Sequence, residues 1–481
     1  AFLLYEGSTQ KLYANNIVII SPNNLFGSYI ANVLPALGEK NVQSLTFEAL
    51  FAKVYPSGQQ PVLPRNQLLE ELVTQPEDSM LHQSMNFFFS ETFVRILDRY
   101  VSYYMRRMIP YTDLYYDGVL LETRQEMAAF VRKACGRAPL AGALELLEQR
   151  LWTAVHKRRR EHRLEKLQTF SGTFVQHLYD KKQFGRLLSI KEHARIKRQI
   201  KAFTTLDSLA LYRRLLRDHN LFFRLAKGME LPANAGELLT LTEGRLAQHG
   251  QPLHYLDAMP LLYLHLFGSE GLQDIRQVVV DEAQDYYPLH FYILKNLFPT
   301  ARYTVMGDYN QTIEKRESEQ FYRDTARILN KKSSALITLN KGFRSSYEIN
   351  EFSRRFLAGH SEMESFERHE QQPSVLEVKD LDAMARQAVQ LTEGWLQEGY
   401  ESVGIICKSQ RQAQELYEAM KPCLSENLPV HLMDTERREV FSGVMLMPVY
   451  MAKGLEFDAV VLCGADDETY CAPADQQLLY V

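Results

Sequence analysis

The sequence predicts an α/β fold with two parallel-sheet parts and a large helical insertion in the first. Three observations carry this. VVVDEAQD (278–285) is a β-branched run ending in carboxylates, and ARYTVMGD (301–308) repeats the pattern after a helical stretch, PLHFYILKNLF (288–298). A strand–helix–strand rhythm with acidic side chains at the strand ends belongs to a parallel sheet with ligands at its carboxyl edge. Between about 45 and 265 the β-branched runs vanish and apolar residues recur at three- and four-residue spacing, which reads as helix. From SVLEVKD (374–380) onward the strand–helix rhythm returns.

Taken in order, AFLLYEG (1–7) reads as the tail of a helix, and NNIVIISPNN (15–24) as a buried strand closed by Pro and Asn. LFGSYIANVLPALG (25–38) has helical spacing up to Gly38. In the last part, SVLEVKD, SVGIICKS (402–409), PVHLMD (429–434), GVMLMPVYM (443–451) and DAVVLCGAD (458–466) read as strands. DAMARQAVQLTEGWLQEG (382–399) and RQAQELYEAMKPCL (411–424) supply helices between them. The expected domains are therefore 1–44 with 251–340, a helical insertion over 45–250, and a second α/β part over 341–481.

A chain of 481 residues exceeds what one core serves, and about 150 residues per domain gives roughly three. With 46% hydrophobic and 24% charged residues the composition is that of a soluble globular protein. The five Cys form no CxxC pair, and Cys407 and Cys463 sit in apolar runs, so reduced thiols in a cytoplasmic protein are expected. No apolar run approaches 18 residues, so no membrane span is expected, and the first residues lack the basic region and cleavage site of a secretion signal. A net charge of −4 argues neither for nor against a polyanionic partner, but its distribution is uneven. Residues 151–201 hold 14 Lys and Arg against 4 Asp and Glu, densest in HKRRREHR (156–163) and KEHARIKRQIK (191–201). Such a run is either a solvated helical face or a contact for a polyanion or an acidic protein surface.

Asp281 and Glu282 end the 278–280 strand run. In a nucleoside triphosphatase a strand-end Asp orients Mg²⁺ and the adjacent Glu polarises a water aimed at the γ-phosphate. An acidic pair at a strand end also serves as a helix cap, so the pair alone is a weak signal. GDYNQTI (307–313) follows the next strand and offers Gln311 to sense a γ-phosphate and Asp308 to order it. LNKGFRSS (339–346) places Arg344 at the head of a helical stretch, and MAKGLEFDAVVL (451–462) offers Lys453, Gly454 and Glu456 in a tight loop. Each has a plainer role open to it, as a turn filler, a helix-start residue or a cap, but their joint order is much less expected by chance.

That order resembles the UvrD/Rep-like superfamily of helicases. DEAQD matches its Walker B motif, GDYNQTI its glutamine motif, NKGFRSS its N-Y-R-S-type motif, and AKGLEFD the motif whose Glu meets the nucleotide ribose. The resemblance implies two RecA-like domains, ATP and Mg²⁺ as cofactors, and an ATPase. Asp281 would hold Mg²⁺, Glu282 activate water, Gln311 sense the γ-phosphate and Arg344 stabilise the transferring charge, with Asp308, Lys453, Gly454 and Glu456 lining the nucleotide. No G-x-x-x-x-G-K-[ST] occurs in the chain. The resemblance places that phosphate loop upstream of Ala1 and a motif with a second catalytic Arg downstream of Val481, so the chain by itself is expected not to hydrolyse ATP.

The nucleic-acid side departs from the helicase pattern. Glu314 stands where those helicases carry a base-stacking Tyr, Pro448 and Tyr450 where they carry Thr-x-His, and no room remains for a second large accessory domain. This combination resembles the HelD family of bacterial helicase-IV-like factors, through LLY, SPNxLFxxYIxNVLPxLGE, DEAQDYxPxxxxxLxxxFP, PVYxAKGxEFDAV and QLLY in that family's order. The resemblance implies a monomeric factor that binds RNA polymerase core and recycles it, with the 45–250 insertion opening the polymerase clamp. A UvrD/Rep-type helicase translocating on single-stranded DNA is the alternative, with DNA as the partner.

Overall fold

The first four strands in chain order are β1 (Ile17–Ile20), β2 (Gln43–Leu45), β3 (Leu114–Tyr116) and β4 (Val119–Glu122). Next come β5 (Gln277–Val280), β6 (Arg302–Val305) and the short pair β7 (Lys341–Gly342) and β8 (Glu364–Ser365). The last are β9 (Ser402–Cys407), β10 (Val430–Leu432), β11 (Gly443–Pro448) and β12 (Ala459–Leu462). The computed structural model describes residues 13–23, 43–55, 61–76, 78–135, 139–169, 178–248, 250–267, 272, 274–315, 318–357, 364–425, 428–434, 443–471 and 473–481. Within these, 163–169, 178–190, 473 and 474 are described by their backbone alone. The helices expected at 1–7 and 25–38 lie outside the described residues.

The first sheet has the order β2-β1-β5-β6 and is parallel throughout. Ile17 and Ile20 of β1 and Val278 and Val280 of β5 are buried, so the β-branched runs form the centre of the sheet. β5 reaches β6 through the helix Pro288–Leu297. Pro288 opens that helix, where its missing N–H costs nothing, and Leu289, Phe291, Ile293, Leu294 and Leu297 turn inward. As expected, DEAQD and GDYN leave the same carboxyl edge.

The second sheet, β10-β11-β9-β12, is also parallel. Val403, Ile405, Val444 and Leu446 share one core with Ala385, Ala388 and Val389 of the helix Leu381–Gln397 and with Ala413 and Leu416 of Gln410–Met420. Three expectations need correction here and in the helical part. Residues 374–380 adopt no regular secondary structure and join no strand pairing among the described residues, and Val375 is 76% exposed. Period-two alternation marks a strand only where a sheet edge takes it up. The run 443–451 splits at Pro448 into β11 and a helical turn, Val449–Ala452. The helical block also contains an antiparallel hairpin, β3–β4. Its turn is Asp117 (φ 51°) and Gly118 (φ 78°), the Asp-Gly pair that a tight hairpin turn selects.

The chain divides into two compact units. One comprises Ala1–Ser90, Ala247–Met259 and Leu272–Val481, and so holds both parallel sheets; the other comprises Glu91–Leu246 and Pro260–Gly271. Residues 45–90, expected in the insertion, thus lie with the sheets. Leu289 N donates to Phe89 O at 3.1 Å, and the Phe47 ring centroid is 5.1 Å from that of Tyr286. In the helical unit, Leu144, Leu147, Leu151 and Val155 of Leu140–Thr169 share a core with Ile196, Ile200 and Phe203 of Leu178–Thr204 and with Leu114 and Met127. Among the described residues no helix is long and apolar enough to cross a membrane.

Candidate functional site

The site grows from the end of β5. Asp281 N continues the pairing by donating to Ile20 O at 3.1 Å, and Asp281 Oδ1 then accepts from Glu282 N at 2.9 Å. This holds Glu282 in the left-handed region at φ 48°. A non-glycine residue there costs on the order of 1–3 kcal/mol, and such strain persists where the surroundings over-determine it. The turn sends Ala283 back beneath β6, where Ala283 N donates to Met306 O at 2.9 Å.

Gln284 fastens the two carboxylate loops together. Fully buried, it donates from Nε2 to Glu282 Oε2 at 2.7 Å and to Gln311 O at 3.3 Å, and its Oε1 accepts from Asp308 N at 3.1 Å. Both its amide hydrogens and its amide oxygen are engaged with DEAQD and GDYNQ. Gly307 is required by this clamp, because a Cβ at that position would lie 2.0 Å from Gln284 Oε1 and 2.9 Å from Ala283 N. Asp308 closes its own turn, Oδ1 accepting from Asn310 N at 2.9 Å.

The second sheet contributes Lys453, one residue past the helical turn that follows β11. It is 4% exposed. Its Nζ donates to Asp285 Oδ1 and to Gln311 O, each at 2.5 Å, and lies 3.7 Å from Glu282 Oε2. Gly454 follows at φ 81°, a backbone state that favours glycine. Asp281, Glu282, Asp308, Gln311 and Lys453 are therefore brought together, with Gln284 and Asp285 between them. Arg344 and Glu456 form a separate pair at 2.6 Å, 61% and 54% exposed. Ser346 caps the helix Tyr347–Ser353, so Arg344 precedes that helix, and its guanidinium is spent on Glu456.

Burial raises the carboxyl pKa values of Asp281, Glu282 and Asp308 above the ordinary range. Lys453 opposes this for Glu282 and Asp308, and the Glu282 N–H opposes it for Asp281. A desolvated carboxylate cluster served by one ammonium is short of positive charge. Among the described residues no group of three or more His, Cys, Asp or Glu could cage a metal. Mg²⁺ does not require such a cage: it binds through one or two carboxylates together with phosphate oxygens and water. Asp281 fits that role, with Oδ1 used locally and Oδ2 left as a ligand.

Beneath the cluster lies a residue that the sequence did not single out. Arg65 opens the helix Arg65–Val73 and is 4% exposed. Its Nη2 donates to Glu314 Oε1 and to Asp285 O at 2.8 Å, and Nη1 stands 3.9 Å from Asp285 Oδ2. Its guanidinium also lies over the Tyr286 ring, 5.6 Å from the centroid. Glu314 is thus an internal residue whose partner is 249 positions away. The same helix carries Glu70, whose Oε2 accepts from Gln410 N at 2.8 Å, so it touches both the loop after β5 and the start of the helix that follows β9. No protein-family model matches the chain, and no curated protein is significantly similar to it.

Proposed function

We propose that the chain is part of an ATP-dependent, helicase-like factor that binds RNA polymerase core and recycles it from stalled or nucleic-acid-bound complexes. One observation carries the nucleotide reading. Lys453 of the second sheet is hydrogen-bonded to Asp285 and to Gln311 O, so the loop after β11 meets the carboxylate loops after β5 and β6. Parallel α/β sheets hold nucleotides outside the carboxyl ends of their strands, where these loops lie.

In this reading Asp281 would hold Mg²⁺, which when bound with ATP neutralises charge on the transferring phosphoryl group, and Asp308 helps to order the γ-phosphate. Glu282 orients the attacking water and takes its proton at the carboxylate, whose burial makes it a stronger base. Gln311 registers the γ-phosphate, with its backbone carbonyl already tied to Lys453. Arg344 reaches the phosphate by leaving Glu456. That exchange is cheap, because an exposed ion pair contributes about 0–1 kcal/mol. Lys453, Gly454 and Glu456 complete the nucleotide-facing loop.

Glu314 favours a polymerase-directed factor over a DNA-translocating helicase. The position that would carry a base-stacking aromatic holds a buried carboxylate bound to Arg65. A stacking platform is worth roughly 1–3 kcal/mol per base, and that contribution is missing here. The polymerase itself, a cytoplasmic location and a monomeric state follow from the resemblance to the HelD family. The test uses the longer protein that the resemblance implies, with its phosphate loop. Glu282→Gln should still bind ATP while turnover falls by about 10²-fold or more. Turnover within a few-fold of wild type would remove Glu282 from the reaction.

A further inference from the structure

Outside the carboxylate cleft, the strongest unassigned feature is the charge on the two long helices of the second unit. Leu140–Thr169 and Leu178–Thr204 pack antiparallel: Lys201 and Thr204 reach Glu148, at 3.0 and 2.9 Å, and the Trp152 ring lies 4.8 Å from that of His193. Their inward positions are apolar, Leu144, Leu147, Leu151 and Val155 on one and Ile196, Ile200 and Phe203 on the other. Core packing therefore accounts for one face of each helix and leaves the opposite face free to carry another role.

The opposite face is cationic. Over 151–162 and 191–204 there are nine Lys and Arg against two Glu, a net +7 in a chain whose total is −4, which leaves −11 for everything else. The carboxylates close by are already engaged: Glu161 with Arg158 at 3.6 Å, Glu192 with Arg195 at 2.5 Å, and Glu148 with Lys201. Lys157, Arg159, Arg160, Lys191, Lys197 and Arg198 are all exposed, and among the described residues none has a carboxylate partner. A face made only for solubility would mix the two signs, as the rest of this acidic chain must. Six uncompensated cations on a rigid helix pair instead create a local positive field.

We propose that this helix pair binds the phosphate backbone of nucleic acid through Lys157, Arg159, Arg160, Lys191, Lys197 and Arg198. Binding is indifferent to base sequence, because Trp152 is half-buried and engaged with His156 and His193 rather than free to stack on a base. The inference does not depend on the nucleotide reading.

The test is fluorescence anisotropy of a labelled 30-base-pair DNA duplex and a labelled 30-nucleotide RNA with the whole chain, between 50 and 200 mM KCl. With six phosphate contacts, affinity should fall by roughly 10³-fold over that range for the duplex, and by somewhat less for the single strand. The two probes show whether duplex or single strand is preferred. Lys157→Glu/Arg160→Glu/Arg198→Glu, whose circular dichroism should match wild type because all three side chains are exposed, should lose binding by more than 100-fold. Lys157→Arg/Arg160→Lys/Arg198→Lys should stay within about 3-fold. The proposal is overturned if neither probe binds at 50 mM KCl, or if the triple reversal binds as wild type does. It is also overturned if a polyglutamate chain of equal charge competes as well as the duplex, which would point to an acidic protein surface as the partner.

Discussion

Removing Arg65 should show how the cleft is held. Its side chain and that of Glu314 are 4% and 3% exposed, and Arg65 also serves Asp285 through the backbone carbonyl and the carboxylate. Arg65→Met keeps a linear apolar side chain but leaves Glu314 buried without its countercharge. Stranding one member of a buried pair costs about 3–5 kcal/mol. Burial pushes the Glu314 carboxyl above its ordinary range in spite of Arg65, so attraction within the pair does not fully offset desolvation. It follows that Arg65→Met/Glu314→Met should cost far less than Arg65→Met alone, about 0–1 kcal/mol, and the double-mutant cycle should give a coupling of at least 2 kcal/mol. The chain has two tryptophans, Trp152 in the helical unit and Trp395 in the unit with the sheets. In a Trp152→Phe background, urea unfolding followed by Trp395 fluorescence therefore reads the relevant unit. A cost below 1 kcal/mol for Arg65→Met, or a double variant as unstable as the sum of the singles, would refute the buried-pair argument.

Three further outcomes are expected. Gly307→Ala drives a methyl group into Gln284 Oε1, so it should destabilise the unit by about 1–3 kcal/mol and increase hydrogen exchange at the Asp308 amide, which Gln284 accepts from. Asp281→Asn removes a charge whose burial raises its pKa. The native carboxylate costs stability increasingly as the pH rises from the ordinary carboxylate value through the raised one, so the variant should be more stable by up to about 2 kcal/mol at pH 8, with the gap closing as the pH falls toward the ordinary carboxylate range. His290 is fully buried among Phe47, Phe89, Tyr255 and Tyr286, and its Nδ1 accepts from Tyr287 N at 3.2 Å, so the proton sits on Nε2 and is donated to Tyr255 Oη at 3.0 Å. Burial holds its pKa well below the ordinary histidine value, so the unfolded chain takes up a proton that the fold refuses as pH falls past that value. His290→Phe should therefore be less stable than wild type at pH 8 and lose less stability between pH 7 and pH 5, by up to about 1.4 kcal/mol per pH unit, in urea titrations at each pH.

The first parallel sheet was legible because VVV and IVII are largely buried runs with the β-branched composition of such strands, and the second because the strand–helix rhythm returns after residue 374. The meeting of DEAQD with GDYNQ was legible for a topological reason, since loops that follow adjacent parallel strands leave one edge together. Lys453 was legible as a loop residue, but its burial beneath Asp285 was not, because position along the chain says nothing about which neighbour a side chain turns to. Arg65 left no trace: Pro-Arg-Asn at a helix start is ordinary, and its partner is far along the chain. Glu314 was visible as a departure from a motif, while its meaning as half of an internal ion pair needed Arg65. The hairpin at 114–122 carried its Asp-Gly signal inside a stretch dominated by helical spacing, where the average concealed it.

Engagement of RNA polymerase by this chain is the most direct test of the proposed function. Purified chain mixed with nucleic-acid-free polymerase core and run on size-exclusion chromatography at physiological salt, without ATP, should co-elute with the polymerase. The same run with single-stranded DNA alone should give at most the salt-sensitive association of the cationic helix pair. Tight, salt-resistant binding to single-stranded DNA with no polymerase co-elution would contradict the account and favour the translocating helicase.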